Sequence, residues 1–172
     1  MKRPITPRGY ALLRQELQRL RAMRPELAKA IEIARGHGDL SENGDYDAAK
    51  EKSGMTEAKI RDLEAKLSHA EIIDPSRLGE PTRVVFGASV KIEEIEEGEQ
   101  RKLWIIGPDE SDADRGWISC ESPLGRSLIG KEVGDTARVS LPGGAKEYEI
   151  LEIWVQPELF QVPPEIASES VS

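Results

Sequence analysis

The sequence predicts an α+β protein: an N-terminal antiparallel coiled-coil hairpin of two helices followed by a mainly antiparallel sheet domain carrying one short helix. Three observations predict it. Apolar residues recur with alternating spacings of three and four through residues 10–34 and again through 46–70, the pattern of a coiled-coil seam. The two series mirror each other, so that positions summing to 80 (Tyr10 with Ala70, Leu13 with Leu67, Leu17 with Leu63, Ala34 with Tyr46) meet layer by layer when the chain folds back near Leu40. From Arg77 onward the pattern changes to short apolar runs bounded by Gly and Pro, which reads as strands.

The first helix starts at Thr6-Pro7, with a hydroxyl at the cap and proline where no amide hydrogen is needed. Gly36 and Gly38 end it, since glycine readily takes the left-handed conformation of a helix stop. Over residues 7–35 it would extend about 45 Å at roughly 1.5 Å per residue. Ser41, Asn43 and Asp45 are candidate caps for the second helix, which runs to about Ile72 and stops at Asp74-Pro75. The middle of the hairpin breaks the seam: Arg24 faces Thr56, Leu27 faces Ser53, and Pro25 lies inside the first helix. Two outcomes fit, a bend or hydrated gap at this level, or an outward-turned Arg24 on a nearly straight rod.

Candidate strands are 83–86, 88–95, 101–106, 116–120, 136–141 and 146–154, with Pro142-Gly143-Gly144 as a hairpin turn. Residues 122–130 begin with a capping serine and a proline and end in glycine, which reads as one short helix. The domains are therefore 1–76 for the hairpin, 77–155 for the sheet domain and 156–172 for a mobile tail rich in Pro, Glu and Ser.

The net charge of −8 conceals a polarity. Residues 1–35 hold nine Lys or Arg against three Glu, whereas 75–172 hold ten basic against nineteen acidic groups. That excludes a polyanion-binding surface spread over the whole molecule. A single cysteine, Cys120, rules out an internal disulfide and fits a reducing cytosol. No run approaches the roughly 20 apolar residues of a membrane span, and no signal peptide is expected; the reading is cytoplasmic, with no membrane partner.

No phosphate loop, zinc spacing or nucleophile elbow is present. The candidate chemistry lies between the helices, where residues 38–47 contain Asp39, Glu42, Asp45 and Asp47 and no lysine or arginine. Asp39 and Glu42 are three residues apart, close enough in a tight turn to point the same way. Two convergent carboxylates suit a hard ion such as Mg²⁺ but are too few to hold it alone, so a partner would supply the remaining ligands. The competing reading is that these acids cap amides and complement the dipole of the second helix. His37, set between glycines, reads as a solvated turn residue.

The run Gly38-Asp39-Leu40-Ser41-Glu42-Asn43 through Tyr46 resembles the tip motif of the bacterial transcript cleavage factors GreA and GreB. Ile60-Arg61-Asp62-Leu63-Glu64-Ala65-Lys66-Leu67 resembles their second helix, and Phe86-Gly87-Ala88-Ser89-Val90, Ser122-Pro123-Leu124-Gly125-Arg126 and Leu128-Ile129-Gly130-Lys131-Glu132-Val133-Gly134-Asp135 their C-terminal domain. The resemblance implies an FKBP-like C-terminal fold that binds RNA polymerase, and a coiled coil that enters the secondary channel. Asp39 and Glu42 would there share a Mg²⁺ with the polymerase active centre and stimulate cleavage of backtracked RNA; the factor has no cofactor of its own. It further implies a polymerase contact at Glu121, Ser122, Pro123 and Leu124, where aspartate is commoner at position 121. Lys50 and Lys52 would contact the 3′ end of the nascent RNA, and the factor would act as a monomer. The Asp-Leu-Glu-Ala-Lys-Leu run and the sparse basic patch lean toward GreA, and the Ile5-Thr6-Pro7-Arg8-Gly9-Tyr10 start toward GreB. The alternatives are a secondary-channel inhibitor of the polymerase, an FKBP-like prolyl isomerase, and a coiled-coil scaffold without catalytic consequence.

Overall fold

The computed structural model describes residues 2–38 and 43–164. Two compact units emerge, one of residues 12–68 and one of residues 1–11 with 69–172.

The first unit is the helical hairpin. Helix α1 (Pro7–Ala22) and helix α2 (Arg24–Arg35) form one arm, and helix α3 (Gly44–His69) the other. The seam packs as the spacing predicts: Leu17, Leu20, Ile60 and Leu63 are buried in one cluster, with Leu13, Met23 and Leu67 against it. Pro25 interrupts the first arm. It has no amide hydrogen to return to the preceding turn, so Met23 bonds to Leu20 three residues back, and the regular ladder resumes when Leu27 donates to Met23. Arg24 turns outward and grips Glu57 through two hydrogen bonds of 2.7 and 3.0 Å. Beside the break, Leu20, Met23, Met55 and Thr56 line an open hollow of about 310 Å³. The outward arginine and the gap thus occur together. The Thr56 hydroxyl is buried there yet satisfied, donating to the Lys52 carbonyl at 2.9 Å.

The second unit is built on a five-stranded sheet in the order β5-β4-β3-β7-β6, formed by β3 (Ser89–Glu94), β4 (Gln100–Ile106), β5 (Trp117–Ser119), β6 (Thr136–Leu141) and β7 (Gly144–Trp154). All neighbours are antiparallel except β4 and β5. Helix α4 (Pro123–Leu128) packs Leu128 onto one face, where Val90, Ile92, Leu103, Ile105, Val139 and Ile150 form the core. A two-stranded parallel sheet joins β1 (Arg3–Ile5) to β2 (Ala70–Ile72).

Three boundaries differ from the sequence reading. Residues 83–86 form no strand: Val84 is fully buried but bonds only to the turn at 130–131, and Arg83 makes a lone bridge to Glu132. Gly87, at φ +89° and pressed on Pro75, turns the chain before the sheet begins. The hairpin unit is shorter than 1–76, because pairing of β1 with β2 draws residues 3–5 and 70–72 into the other unit. Residue 156 does not open a free tail. Pro157–Leu159 forms a 3-10 turn, and Phe160 is buried against Trp104 and Ile106. The reason lies in β4, which is buried on both faces: Leu103 and Ile105 point to α4, Trp104 and Ile106 to the C-terminal segment. Residues 165–172 of the expected tail lie outside the described residues.

Candidate functional site

Asp39 and Glu42, the expected metal-binding and catalytic carboxylates, lie outside the described residues, as do Leu40 and Ser41. The residues flanking them are described, and they form the ends of α2 and α3. Helix α2 ends at Arg35, and the amides of Gly36 and His37 close its last turn on Ile33 and Ala34. Of the three candidate caps for the second helix, Asn43 is the one used. Its Oδ1 accepts the amide of Tyr46 at 3.1 Å while its Nδ2 donates to the carbonyl of Ala34. One side chain therefore satisfies an orphan donor of α3 and adds a second donor to the Ala34 carbonyl of α2, which already accepts the His37 amide. The ends of α2 and α3 are thereby stitched together.

Tyr46 stands on the first turn of α3 with cations on both sides: Arg35 lies 6.0 Å and Lys50 5.3 Å from its ring centroid. Contact with Arg35, then the charge of Lys50, lowers its phenol below the ordinary value. Asp45 faces His37 at 3.6 Å, with both side chains exposed. This end of the hairpin is thus a mixed-charge collar.

Lys50 and Lys52 are not brought together. Two residues on a helix lie roughly 200° apart, so Lys50 sits on Tyr46 while Lys52 lines the hollow with Arg19 and Lys59. At the other expected contact, Ser122 caps α4, accepting the Gly125 amide at 3.1 Å and donating to the Ser119 carbonyl at 2.7 Å. Gly125 is obligatory there, since a Cβ would fall 2.0 Å from that carbonyl oxygen. Glu121 and Pro123 are exposed and Leu124 half-buried, with Trp117, Ser122, Leu124 and Leu141 lining an open hollow of about 290 Å³. Both readings of Ser122-Pro123, capping and presentation, are compatible with this geometry. The neighbouring Cys120 thiol is pushed up by burial and by the Glu121 charge, the opposite of an activated nucleophile. Among the described residues the carboxylates of Glu94, Glu97 and Glu99 also come together, but Glu94 is paired with Lys146 at 3.9 Å.

Sequence reasoning missed Glu110. Its three partners, Thr6 twice and Gly107, include a residue more than a hundred positions away, and no local spacing reveals such a contact.

Comparison with known proteins adds the following. Residues 3–72 match the family "Transcription elongation factor, N-terminal", and residues 79–155 match "Transcription elongation factor, GreA/GreB, C-term". The transcription elongation factor GreA of Neisseria meningitidis serogroup A is 50% identical over 153 residues, covering 88% of this chain and 97% of that protein. GreA of a Psychrobacter species is 49% identical over 154 residues, covering 89% and 98%. Among solved structures, GreA factor homolog 1 of Thermus thermophilus is 29% identical, covers 89% of this chain and 99% of its own, and superposes with a TM-score of 0.41.

Proposed function

The chain belongs to the GreA/GreB family of transcription elongation factors, and from that premise we propose that it stimulates RNA polymerase to cleave backtracked nascent RNA. It does so as a GreA-type cytoplasmic factor that binds the polymerase through its C-terminal domain and has no hydrolytic activity of its own. The observation that carries the reading is the stitched hairpin end. Asn43 ties Ala34 to Tyr46, and in sequence the residues between Gly38 and Asn43 include Asp39 and Glu42 and no lysine or arginine.

Two carboxylate donors suit a hard cation that keeps other ligands. Asp39 and Glu42 would hold Mg²⁺ jointly with groups of the polymerase, and the bound ion would supply Lewis-acid activation of water and of the leaving oxygen. The free factor is then expected to show no tight Mg²⁺ binding by calorimetry. Ser122, Pro123 and Leu124, with Glu121 beside them, offer a capped helix start next to an apolar hollow, a surface suited to a protein partner. Lys50, 5.3 Å from the Tyr46 ring near the start of α3, would meet the RNA 3′ end. Trp104 is buried, with its indole donating to the Gly87 carbonyl, so this aromatic serves the packing and not a prolyl-peptide pocket.

The test is RNA cleavage in a purified backtracked polymerase complex, with wild type, Asp39→Ala and Glu42→Ala added at saturation and binding measured separately. Acceleration by wild type alone, with both variants still bound, supports the reading. Binding by wild type that slows the complex would identify an inhibitor; unchanged cleavage by the variants would leave the hairpin as a scaffold.

A further inference from the structure

The two units are joined at two chain crossings, between residues 11 and 12 and between residues 68 and 69. Inside the larger unit both crossings trace back to one short segment, residues 3–6. Its strand β1 pairs in parallel with β2, which directly follows α3, and Ile73 donates to Ile5 at 2.9 Å to close that pairing. Its last residue, Thr6, caps α1: Oγ1 accepts the amide of Gly9 at 3.1 Å and the carbonyl accepts that of Tyr10 at 3.0 Å.

Residues 107–110 close over this segment. Glu110 Oε2 accepts the Thr6 amide at 2.9 Å and the Gly107 amide at 3.1 Å, and its Oε1 accepts the Thr6 hydroxyl. Arg3 reaches Asp109 at 3.4 Å. Gly107 is required by space, since a Cβ there would lie 1.9 Å from the Pro4 carbonyl oxygen, and a Cβ on Gly9 would displace Glu110 Oε1, 2.3 Å away. Thr6 is fully buried. A half-buried carboxylate is a poor choice for stability alone, because an apolar residue of similar volume avoids its desolvation cost. Three convergent donors do something an apolar contact cannot: they fix Thr6 in both position and rotation.

We propose that Glu110 is a positioning residue for transcript cleavage, a clasp that holds the segment from which both arms of the hairpin lead. The proposal rests on the functional reading above. The clasp keeps the start of α1 in one register, so the factor delivers its acids reproducibly once it is bound. Loss of the clasp therefore lowers the maximal cleavage rate and leaves the concentration needed for half-saturation in place.

The experiment uses the full chain in two assays. In the first, cleavage in a purified backtracked complex is followed against factor concentration for wild type, Glu110→Leu and Glu110→Gln. Glu110→Leu should slow cleavage at saturation on the order of tenfold, the scale of a misplaced reacting group, with half-saturation unchanged. Glu110→Gln keeps an acceptor for the backbone amides and should restore most of the rate. In the second, hydrogen exchange of the Gly9 and Tyr10 amides is read in the free factor, where Glu110→Leu should exchange faster. If melting curves show that Glu110→Leu does not fold, Thr6→Val, of the same shape and lacking the hydroxyl, carries the same rate expectation, with exchange read at Tyr10 because the hydroxyl also caps the Gly9 amide. A full maximal rate in the variant overturns the proposal, as does a loss that more factor restores, or unchanged exchange. A wild-type factor that fails to accelerate cleavage overturns the functional reading instead, and the clasp is then judged by exchange alone.

Discussion

Asn43 donates to the main-chain carbonyl of Ala34, joining the first residue after the acidic link to the last buried turn of α2. The same side chain caps α3 by accepting the Tyr46 amide at 3.1 Å. Both bonds sit at helix ends; the Tyr46 amide has no partner within α3, whereas the Ala34 carbonyl also accepts the His37 amide at 3.1 Å.

Replacing Asn43 with alanine should cost about 1 kcal/mol, the value of a lost cap, since the Ala34 carbonyl keeps the His37 amide. Asn43→Asp keeps the acceptor for Tyr46 and loses the donor to Ala34, so it should fall between. Urea unfolding of the full chain followed by helical circular dichroism measures both. Equal stability of alanine and wild type would show that solvent satisfies these groups as well as Asn43 does.

The hairpin was legible because its determinants are local and periodic. Leu17, Leu20, Ile60 and Leu63 announce their cluster through spacing alone. The outcome at Pro25 was not legible, since it depends on whether Arg24 finds a partner, and Glu57 is set by the register of the opposite helix. The C-terminal segment was misread for a related reason. Pro, Glu and Ser look like a tail until Phe160 is seen to cover Trp104 and Ile106. Glu110 was invisible because its meaning comes from Thr6, reached only through the tertiary fold.

Gly54 offers a stabilising change. It lies inside α3, and a Cβ there would meet nothing within 4 Å. Glycine in a helix interior is about 0.8–1 kcal/mol worse than alanine. Gly54→Ala should therefore raise the unfolding midpoint by a stabilisation of that size. A decrease would mean that the level of the Pro25 break requires the extra backbone freedom of glycine.

Phe160 tests whether the C-terminal segment is part of the fold. Its ring is 4% exposed against Trp104, itself 3% exposed. Phe160→Ala should cost about 3 kcal/mol or more, as for other buried aromatics cut to alanine. It should also move tryptophan emission to longer wavelength as water reaches the Trp104 face. Unchanged emission and stability would return residues 156–160 to the status of a tail.

Glu110 gives a pH dependence with a definite sign. Burial pushes its carboxyl above the ordinary value of 4.5, opposed by the Thr6 and Gly107 hydrogen bonds and by the Arg8 charge. The folded state therefore holds this proton more tightly than the unfolded chain does. Its contribution to stability is fully present below 4.5 and is lost as pH rises through the higher folded value. Glu110→Gln stays neutral and suffers no such loss, while the other acids titrate alike in both proteins and cancel in the difference. Paired unfolding measurements from about pH 4 to pH 8 should show the glutamine variant gaining on wild type across the window just above 4.5, then running parallel to it. A difference that moves the opposite way would place the folded value below 4.5, with the clasp's hydrogen bonds outweighing burial.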